Sequence, residues 1–311
     1  MNATSRDVPE ISVIIPLYNE VDALPSVIER LRPVLEGMNR LYEIIVVDDG
    51  SEDSTKDFLN TAGVRVVTHP YNMGNGAAVK TGIRQARGRL LVMMDGDGQH
   101  SPEDIPRLIE KLSSYDMVVG ARTWSSESSF HRNLANKIYN LFASYMCGRR
   151  IEDLTSGFRA IRRDIARRFI YLLPNGFSYP ATITLAVVRT GHSLGYIPIM
   201  SARRLGKSKI RLLRDGTRFL LIILRIATLF SPMKIFLPVS TFMFLLGFGY
   251  GIFRIVSLDG RYGPTSAMLM TMAVVIFMVG LVSEQVAQLR FERSEGIEDD
   301  SRQTSRTSME E

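Results

Sequence analysis

The chain has 311 residues, 45% of them apolar and 23% charged, with 38 Lys and Arg against 32 Asp and Glu. That length allows about two domains, and the apolar content excludes a disordered chain. The single cysteine, Cys147, excludes an internal disulfide framework and a multi-cysteine metal site. The net charge of +6 is modest, and its placement says more than its size. Nine basic residues and one acidic residue, Asp215, fall between Arg203 and Lys234, directly before the most apolar part of the chain. Such a run suits an anionic membrane surface. A nucleic-acid partner needs a recognisable fold or aromatics interleaved with the basic residues; neither is present, so none is expected.

Residues 1–10 are polar, and the first apolar run, Ile11–Leu17, is too short for a signal-peptide core. The N-terminal domain is therefore expected to stay in the cytosol. Strands are predicted at Ile11–Leu17, Tyr42–Asp48, Val64–Thr68, Arg89–Asp95 and Met117–Ala121. Helices are predicted between them at Glu20–Met38, Ser54–Ala62, Gly76–Ala86 and Pro102–Leu112. This alternation implies an α/β fold, a Rossmann-like doubly wound sheet whose parallel strands are buried on both faces. Such sheets bind ligands beyond the carboxyl ends of their strands.

Further helices at His131–Cys147, Arg162–Leu172 and Pro180–Arg189, and a strand at Ser193–Ser201, complete a domain expected to span residues 1–215. Residues 216–232 read as an amphipathic helix lying in the membrane interface, with Arg225 inside an apolar stretch. Two uncharged runs follow within 233–285: Ile235–Phe253, 19 residues, and Pro264–Ser283, 20 residues. Each is long enough to cross about 30 Å of hydrocarbon. The basic run before the first span places the N-terminal domain in the cytosol. Two spans return residues 286–311 to the cytosol as a polar, aperiodic and largely disordered tail.

Asp95-Gly96-Asp97-Gly98-Gln99 follows a predicted strand at the carboxyl edge. Two carboxylates one residue apart point the same way if the strand geometry continues, and the glycines permit close approach of a ligand. Carboxylate and amide oxygens suit a hard divalent cation, Mg²⁺ or Mn²⁺. Such an ion bridges a diphosphate and neutralises charge on a leaving nucleotide. The alternative is an Asp-Gly turn with solvated carboxylates.

In Val47-Asp48-Asp49-Gly50-Ser51, Asp48 can accept hydrogen bonds from a base or ribose, while Asp49 and Ser51 can cap the next helix. After Pro16, Tyr18 can pack on a base and Glu20 can reach a ribose; the alternative is a turn with an acidic first helical turn. Gly74-Asn75-Gly76 opens a helix but matches neither a dinucleotide fingerprint nor a P-loop. The donors of Arg203–Lys209 can grip phosphate oxygens or only touch lipid headgroups. Asp153 can act as a base, as an orienter, or in a capping loop. Arg122 and Arg132 can bind an anionic acceptor or be solvated. His69, His100, His131 and His192 make no metal-ligand spacing and no nucleophilic triad, and are read as structural.

The segments SVIIPLYNE, VVDDGS, MDGDGQH, DLTSGFRA and RRLGKSK occur in that order. Together they resemble the family-2 inverting glycosyltransferases of GT-A fold, specifically the polyprenyl-phosphate glycosyltransferases typified by dolichyl-phosphate mannose synthase. The two C-terminal spans resemble the branch of bacterial undecaprenyl-phosphate sugar transferases. The resemblance covers residues 11–215 and implies roles for particular residues. Asp97 and Gln99 match metal ligands, with Asp95 beside them in the donor site. Pro16, Tyr18, Glu20 and Asp48 match a nucleoside pocket. Arg203, Ser208 and Lys209 match a loop that closes over donor and acceptor phosphates. Arg122 and Arg132 match acceptor-phosphate contacts, and Asn136 stands where a relative has Ser. Asp153 precedes S-G-F, at the position sometimes proposed as the base.

The implied reaction moves one sugar from a UDP- or GDP-linked donor to undecaprenyl or dolichyl phosphate, with a divalent metal, at the cytosolic membrane face. Two-span relatives imply a homo-oligomer. The second pKa of a phosphate monoester is about 6, so the lipid phosphate is already nucleophilic at neutral pH. Asp153 is accordingly expected to orient rather than abstract a proton. A processive polysaccharide synthase would carry Q-x-x-R-W, whereas the only tryptophan is Trp124, in Arg122-Thr123-Trp124. An inactive membrane scaffold is the third reading, and the intact acidic and basic motifs argue against it.

Overall fold

β1 (Ile11–Leu17) is buried along its whole length, as a run of Ile, Val and Leu requires when both faces of a sheet are covered. It pairs in parallel with β2 (Tyr42–Asp48) on one side and β4 (Leu90–Met93) on the other. β3 (Arg65–Thr68) extends the sheet beyond β2, again in parallel. β5 (Met117–Arg122) and β7 (Leu194–Ile199) form a second parallel pair. Between the two groups runs β6 (Arg159–Arg162), antiparallel to both β4 and β5. The seven-stranded order is β3-β2-β1-β4-β6-β5-β7. The structure, a computed structural model, describes residues 8–20, 22–53, 59, 62–123, 130–176, 178–200, 228, 231–257 and 263–310, with backbone alone at 130–136 and 290–310.

The sheet is therefore mixed, where the sequence implies parallel strands throughout. Four residues with Arg at each end carry no strand signal; pairing to neighbours on both sides makes β6 a strand. Its direction has a consequence for function. Arg159 stands opposite Met93 on β4 and Val119 on β5, so β6 begins at the edge where those strands end.

α1 (Leu24–Gly37) starts later than the predicted Glu20, with a proline at its first turn, and buries Leu24, Val27, Ile28, Leu31 and Leu35 as one stripe. α2 (Asn75–Gln85) follows β3, and a 3₁₀ turn at Pro102–Asp104 leads into α3 (Ile105–Lys111). α4 (Phe130–Cys147), α5 (Arg163–Arg168) and α6 (Tyr179–Arg189) complete this unit. The helix predicted at Arg162–Leu172 is split, its second part being a 3₁₀ turn at Ile170–Leu172. The predicted helix at Ser54–Ala62 and the interfacial helix at 216–232 lie largely outside the described residues.

The chain divides into two compact units, Met1–Ile210 and Arg211–Glu311. In the second, α7 (Met233–Ser257) packs against α8 (Pro264–Glu310). Two glycines set their spacing: a Cβ on Gly247 would stand 2.9 Å from Leu269 Cβ, and one on Gly280 2.6 Å from Phe236 Cβ. Small residues at such crossings let helix backbones approach. Glu284 accepts a hydrogen bond from Met233 N at 3.2 Å, tying α8 to the start of α7. Met233–Ser257 and Pro264–Leu289 are long and apolar enough to cross a membrane, and only 17% of each apolar window is buried within the chain. Phe242, Leu245, Val256 and Val282 are exposed, which suits lipid rather than a soluble core. α8 runs on to Glu310, where the sequence implies an aperiodic tail. Extending an existing helix avoids the costly nucleation step.

Candidate active site

Loops at the carboxyl edge of the sheet lock onto one another. Asn19, after β1, has φ of 54°. Its N–H donates to Ser51 Oγ at 3.0 Å, and its Oδ1 accepts from Glu52 N at 2.9 Å. Ser51 thus receives the β1 loop. Pro16 is buried within β1, and Tyr18 is partly exposed just beyond it.

Asp48 ends β2 and is fully buried. Its Oδ1 accepts from Ser51 N at 2.9 Å, whereas Oδ2 is buried with no partner among the described residues. An unsatisfied buried acceptor is costly, and a ligand donor relieves it. Asp49 differs. Its Oδ1 accepts from Met73 N at 2.9 Å, Oδ2 accepts from Gly74 N at 2.7 Å, and His69 Nδ1 lies 2.7 Å from Oδ1. His69 Nε2 reaches Thr81 Oγ1 at 2.9 Å. Asp49 and His69 therefore fasten the chain entering α2 to the ends of β2 and β3.

Beyond β4, Gly98 turns the chain with φ of 74°, and Asp97 Oδ1 accepts from Gln99 N at 3.1 Å. A Cβ added to Gly96 would stand 3.1 Å from Glu20 Oε2, so Glu20 reaches this turn from the β1 loop. The Asp95 carboxylate rests directly on Gly157: a Cβ there would stand 2.4 Å from Asp95 Oδ2. His100 is buried and stacks on Phe158 at 5.2 Å between ring centroids. Burial pushes its pKa down to about 4, against the opposing pull of Asp97.

Arg122, at the end of β5, meets Asp153 in the loop before β6. Nε donates to Oδ2 at 2.8 Å, Nη2 to Oδ1 at 2.9 Å, and the Arg122 backbone N–H to Oδ2 at 3.2 Å. Nη2 also donates to Thr155 Oγ1. Asp153 Oδ1 closes its own turn by accepting from Thr155 N and Ser156 N, both at 3.1 Å. Burial works against the Asp153 carboxylate, but Arg122 outweighs it and holds the pKa below the ordinary value.

The fold brings together Glu20, Asp95, Asp97 and Gln99 around one turn, with Arg122 and Asp153 across β6 from it. Arg132 and Asn136 lie on α4, where only the backbone is described; Arg203, Ser208 and Lys209 lie outside the described residues. Sequence reasoning missed Thr155, Gly157 and the His100–Phe158 stack as parts of the site. Thr155, Gly157 and Phe158 lie in the segment DLTSGFRA, which sequence reasoning singled out without giving these three a role, and His100 was read as structural.

Among the described residues no three His, Cys, Asp or Glu side chains form a metal cage by themselves. Two carboxylates and an amide, with Asp95 seated where any side chain at residue 157 would collide, suit an ion that takes its other ligands from a diphosphate.

Residues 12–170 match Glycosyl transferase family 2, and residues 231–289 match the GtrB C-terminal hairpin. The undecaprenyl-phosphate 4-deoxy-4-formamido-L-arabinose transferase of Klebsiella pneumoniae (strain 342) is 30% identical over 296 residues, covering 89% of this chain and 86% of that protein. Its counterpart from Yersinia pestis (strain Pestoides F) is 28% identical over 302 residues, covering 92% and 90%. Glucosyl-3-phosphoglycerate synthase from Mycobacterium tuberculosis, in complex with Mn²⁺ and UDP-glucose, superposes with a TM-score of 0.56 at 21% identity, over 71% of this chain and 78% of that one. That likeness concerns the GT-A fold alone. By the match over residues 12–170 and a relative 30% identical along most of its length, the chain belongs to glycosyl transferase family 2 and carries a membrane-anchoring hairpin.

Proposed function

We propose that this enzyme moves one sugar from a nucleotide-diphosphate sugar, UDP- or GDP-linked, to a polyprenyl phosphate, with inversion at the anomeric carbon and with a divalent metal, Mg²⁺ or Mn²⁺. One observation carries the reading. The antiparallel β6 sets the Asp153–Gly157 loop against the Asp95–Gln99 turn, so an acidic donor side and an arginine-bearing acceptor side meet at one edge. The activity for which the Klebsiella and Yersinia relatives are named, transfer to undecaprenyl phosphate, supports the acceptor class.

Asp48 Oδ2 accepts from the base or ribose, with Tyr18 and Glu20 completing the nucleoside pocket beside Pro16. Asp97 and Gln99, with Asp95 behind them, would hold the metal, which would supply neutralisation of the charge on the leaving nucleotide. Arg122, Arg132 and Asn136 receive the acceptor phosphate, while Arg203, Ser208 and Lys209 close over both phosphate groups. An acceptor oxygen attacks the anomeric carbon opposite the leaving diphosphate, whose C–O bond breaks. The lipid phosphate, with its second pKa at about 6, needs no strong base. Asp153 is a poor base here: Arg122 occupies both of its oxygens. It orients Arg122 instead, and the reaction proceeds by positioning and charge stabilisation.

In this reading residues 1–215 form the cytosolic catalytic domain, 216–232 lie in the lipid interface, and two spans return 286–311 to the cytosol. The chain assembles as a homo-oligomer in contact with membrane lipids. Radiolabelled UDP- and GDP-sugars, offered with undecaprenyl or dolichyl phosphate and Mn²⁺ or Mg²⁺, test the reaction in wild type and Asp97→Ala. A lipid bearing one sugar, absent with Asp97→Ala, is expected. A product ladder would instead indicate a processive synthase. No turnover and no metal-dependent nucleotide binding would indicate an inactive scaffold.

A further inference from the structure

Arg159 has no exposed surface, yet among the described residues it makes no ion pair. Its Nη1 donates to Pro180 O at 2.8 Å and Thr184 Oγ1 at 3.1 Å, and its Nη2 donates to Ser156 O. Nε has no partner among the described residues. The Tyr179 ring lies 6.0 Å from the guanidinium carbon. Burial pulls the guanidinium pKa below its ordinary value, and the fields of Tyr179, Asp153, Tyr196 and Asp95 oppose that pull. A buried charge without a contact partner is costly, and a leucine or methionine would fill the same volume more cheaply.

What Arg159 touches explains why the fold tolerates it. Its three bonds join the carbonyl of Ser156 to the first two turns of α6, at Pro180 and Thr184. The next residue after Ser156 is Gly157, the surface on which Asp95 rests. The β4–β6 ladder ends at Met93 and Arg159, two residues short of Asp95 on one strand and of Gly157 on the other, and the Asp95 carboxylate meets Gly157 just beyond that end. The guanidinium also lies within the electrostatic reach of two carboxylates, Asp153 and Asp95.

Resting on the transferase reading above, we propose that Arg159 is a positioning residue for donor binding: it straps the Ser156–Gly157 segment to α6 and thereby fixes the seat of the Asp95 carboxylate. It touches neither donor nor acceptor and acts through Asp95. Loss of the strap frees the segment, Asp95 loses its seat, and the metal–nucleotide complex is held less tightly. Partners that orient a metal ligand from behind typically change affinity by about 10- to 100-fold when removed.

The test uses the full chain in lipid nanodiscs. Binding of Mn²⁺ with UDP or GDP is followed by the electron paramagnetic resonance of free Mn²⁺, a readout independent of turnover, alongside donor and acceptor KM and thermal unfolding. Arg159→Met is expected to weaken Mn²⁺–nucleotide binding about tenfold or more and to raise donor KM, leaving acceptor KM unchanged. Arg159→Lys, which keeps the charge and one donor group, is expected to recover part of that loss. Thr184→Val removes one bond of the strap and is expected to weaken binding by a smaller factor without unfolding the chain. If Arg159→Met fails to fold, Arg159→Lys and Thr184→Val decide. Wild-type Mn²⁺–nucleotide affinity in the folded variants overturns the strap while leaving the transferase reading intact. Absence of Mn²⁺-dependent nucleotide binding in the wild type overturns both.

Discussion

Arg122 and Asp153, 31 residues apart, face each other as a two-pronged ion pair in which each carboxylate oxygen takes one guanidinium nitrogen, at 2.8 and 2.9 Å. Both groups are largely buried, with side-chain exposures of 21% and 7%. Removing one partner of such a pair strands the other charge, which costs about 3 kcal/mol or more. Asp153→Ala is therefore expected to lower the unfolding temperature markedly at neutral pH, as calorimetry of the purified chain can measure.

The same pair sets an acid limit. Asp153 is held below its ordinary pKa despite burial, because Arg122 bonds and attracts the carboxylate. A carboxyl group depressed on folding adds stability above its unfolded pKa, about 3.9, and that stability is lost as pH falls through the folded value. Wild type is expected to lose unfolding temperature steeply below about pH 4, and Asp153→Asn less steeply there although it is weaker at neutral pH. Melting curves across this range compare the slopes.

Activity separates the two roles open to Asp153. An orienting residue sets the height of the pH profile, and a base sets its shape. Asp153→Asn is expected to lower kcat while leaving the acidic limb near the acceptor's second pKa of about 6. A limb that vanishes in this variant would assign the proton to Asp153.

Gly157→Ala places a methyl group 2.4 Å from Asp95 Oδ2, and one of the two must move. The expected result is a loss of about tenfold or more in donor kcat/KM. The unfolding temperature should change little, because the segment lies at the end of a strand. Steady-state kinetics beside a thermal melt distinguish this from general damage.

His69 gives the contrasting case. It bridges Asp49 and Thr81, neither of which is assigned a contact with donor or acceptor. His69→Ala is expected to cost about 1–3 kcal/mol of stability, since Thr81 and Asp49 each lose a buried partner. Donor and acceptor KM should hold at wild-type values.

The strands that sequence located best were β1 and β2, whose apolar runs are continuous and end in polar residues; both bounds match the structure. β6 was hidden because its strand character comes from partners on either side. The Asp95–Gln99 turn was legible because its chemistry is local, five residues in one motif. The Arg122–Asp153 pair was not, because no local pattern says which residues 31 apart will meet. Asp49 shows a related limit. A helix-capping residue type after a strand reads as a cap, and only the tertiary fold shows its oxygens taken by Met73, Gly74 and His69.

The place of β6 also orders events at the ribosome. Arg159 pairs with Met93, made 66 residues earlier, and among the described residues β5 pairs only with β6 and β7. Until β6 emerges, the β4 edge stays open and β5 has no strand through which to join β1–β4. At about 5–20 residues per second that interval lasts about 3–13 s, long for an exposed strand edge. The nascent chain thus has its parallel β1–β4 group available first and assembles the Arg122–Asp153 side only after β6 emerges.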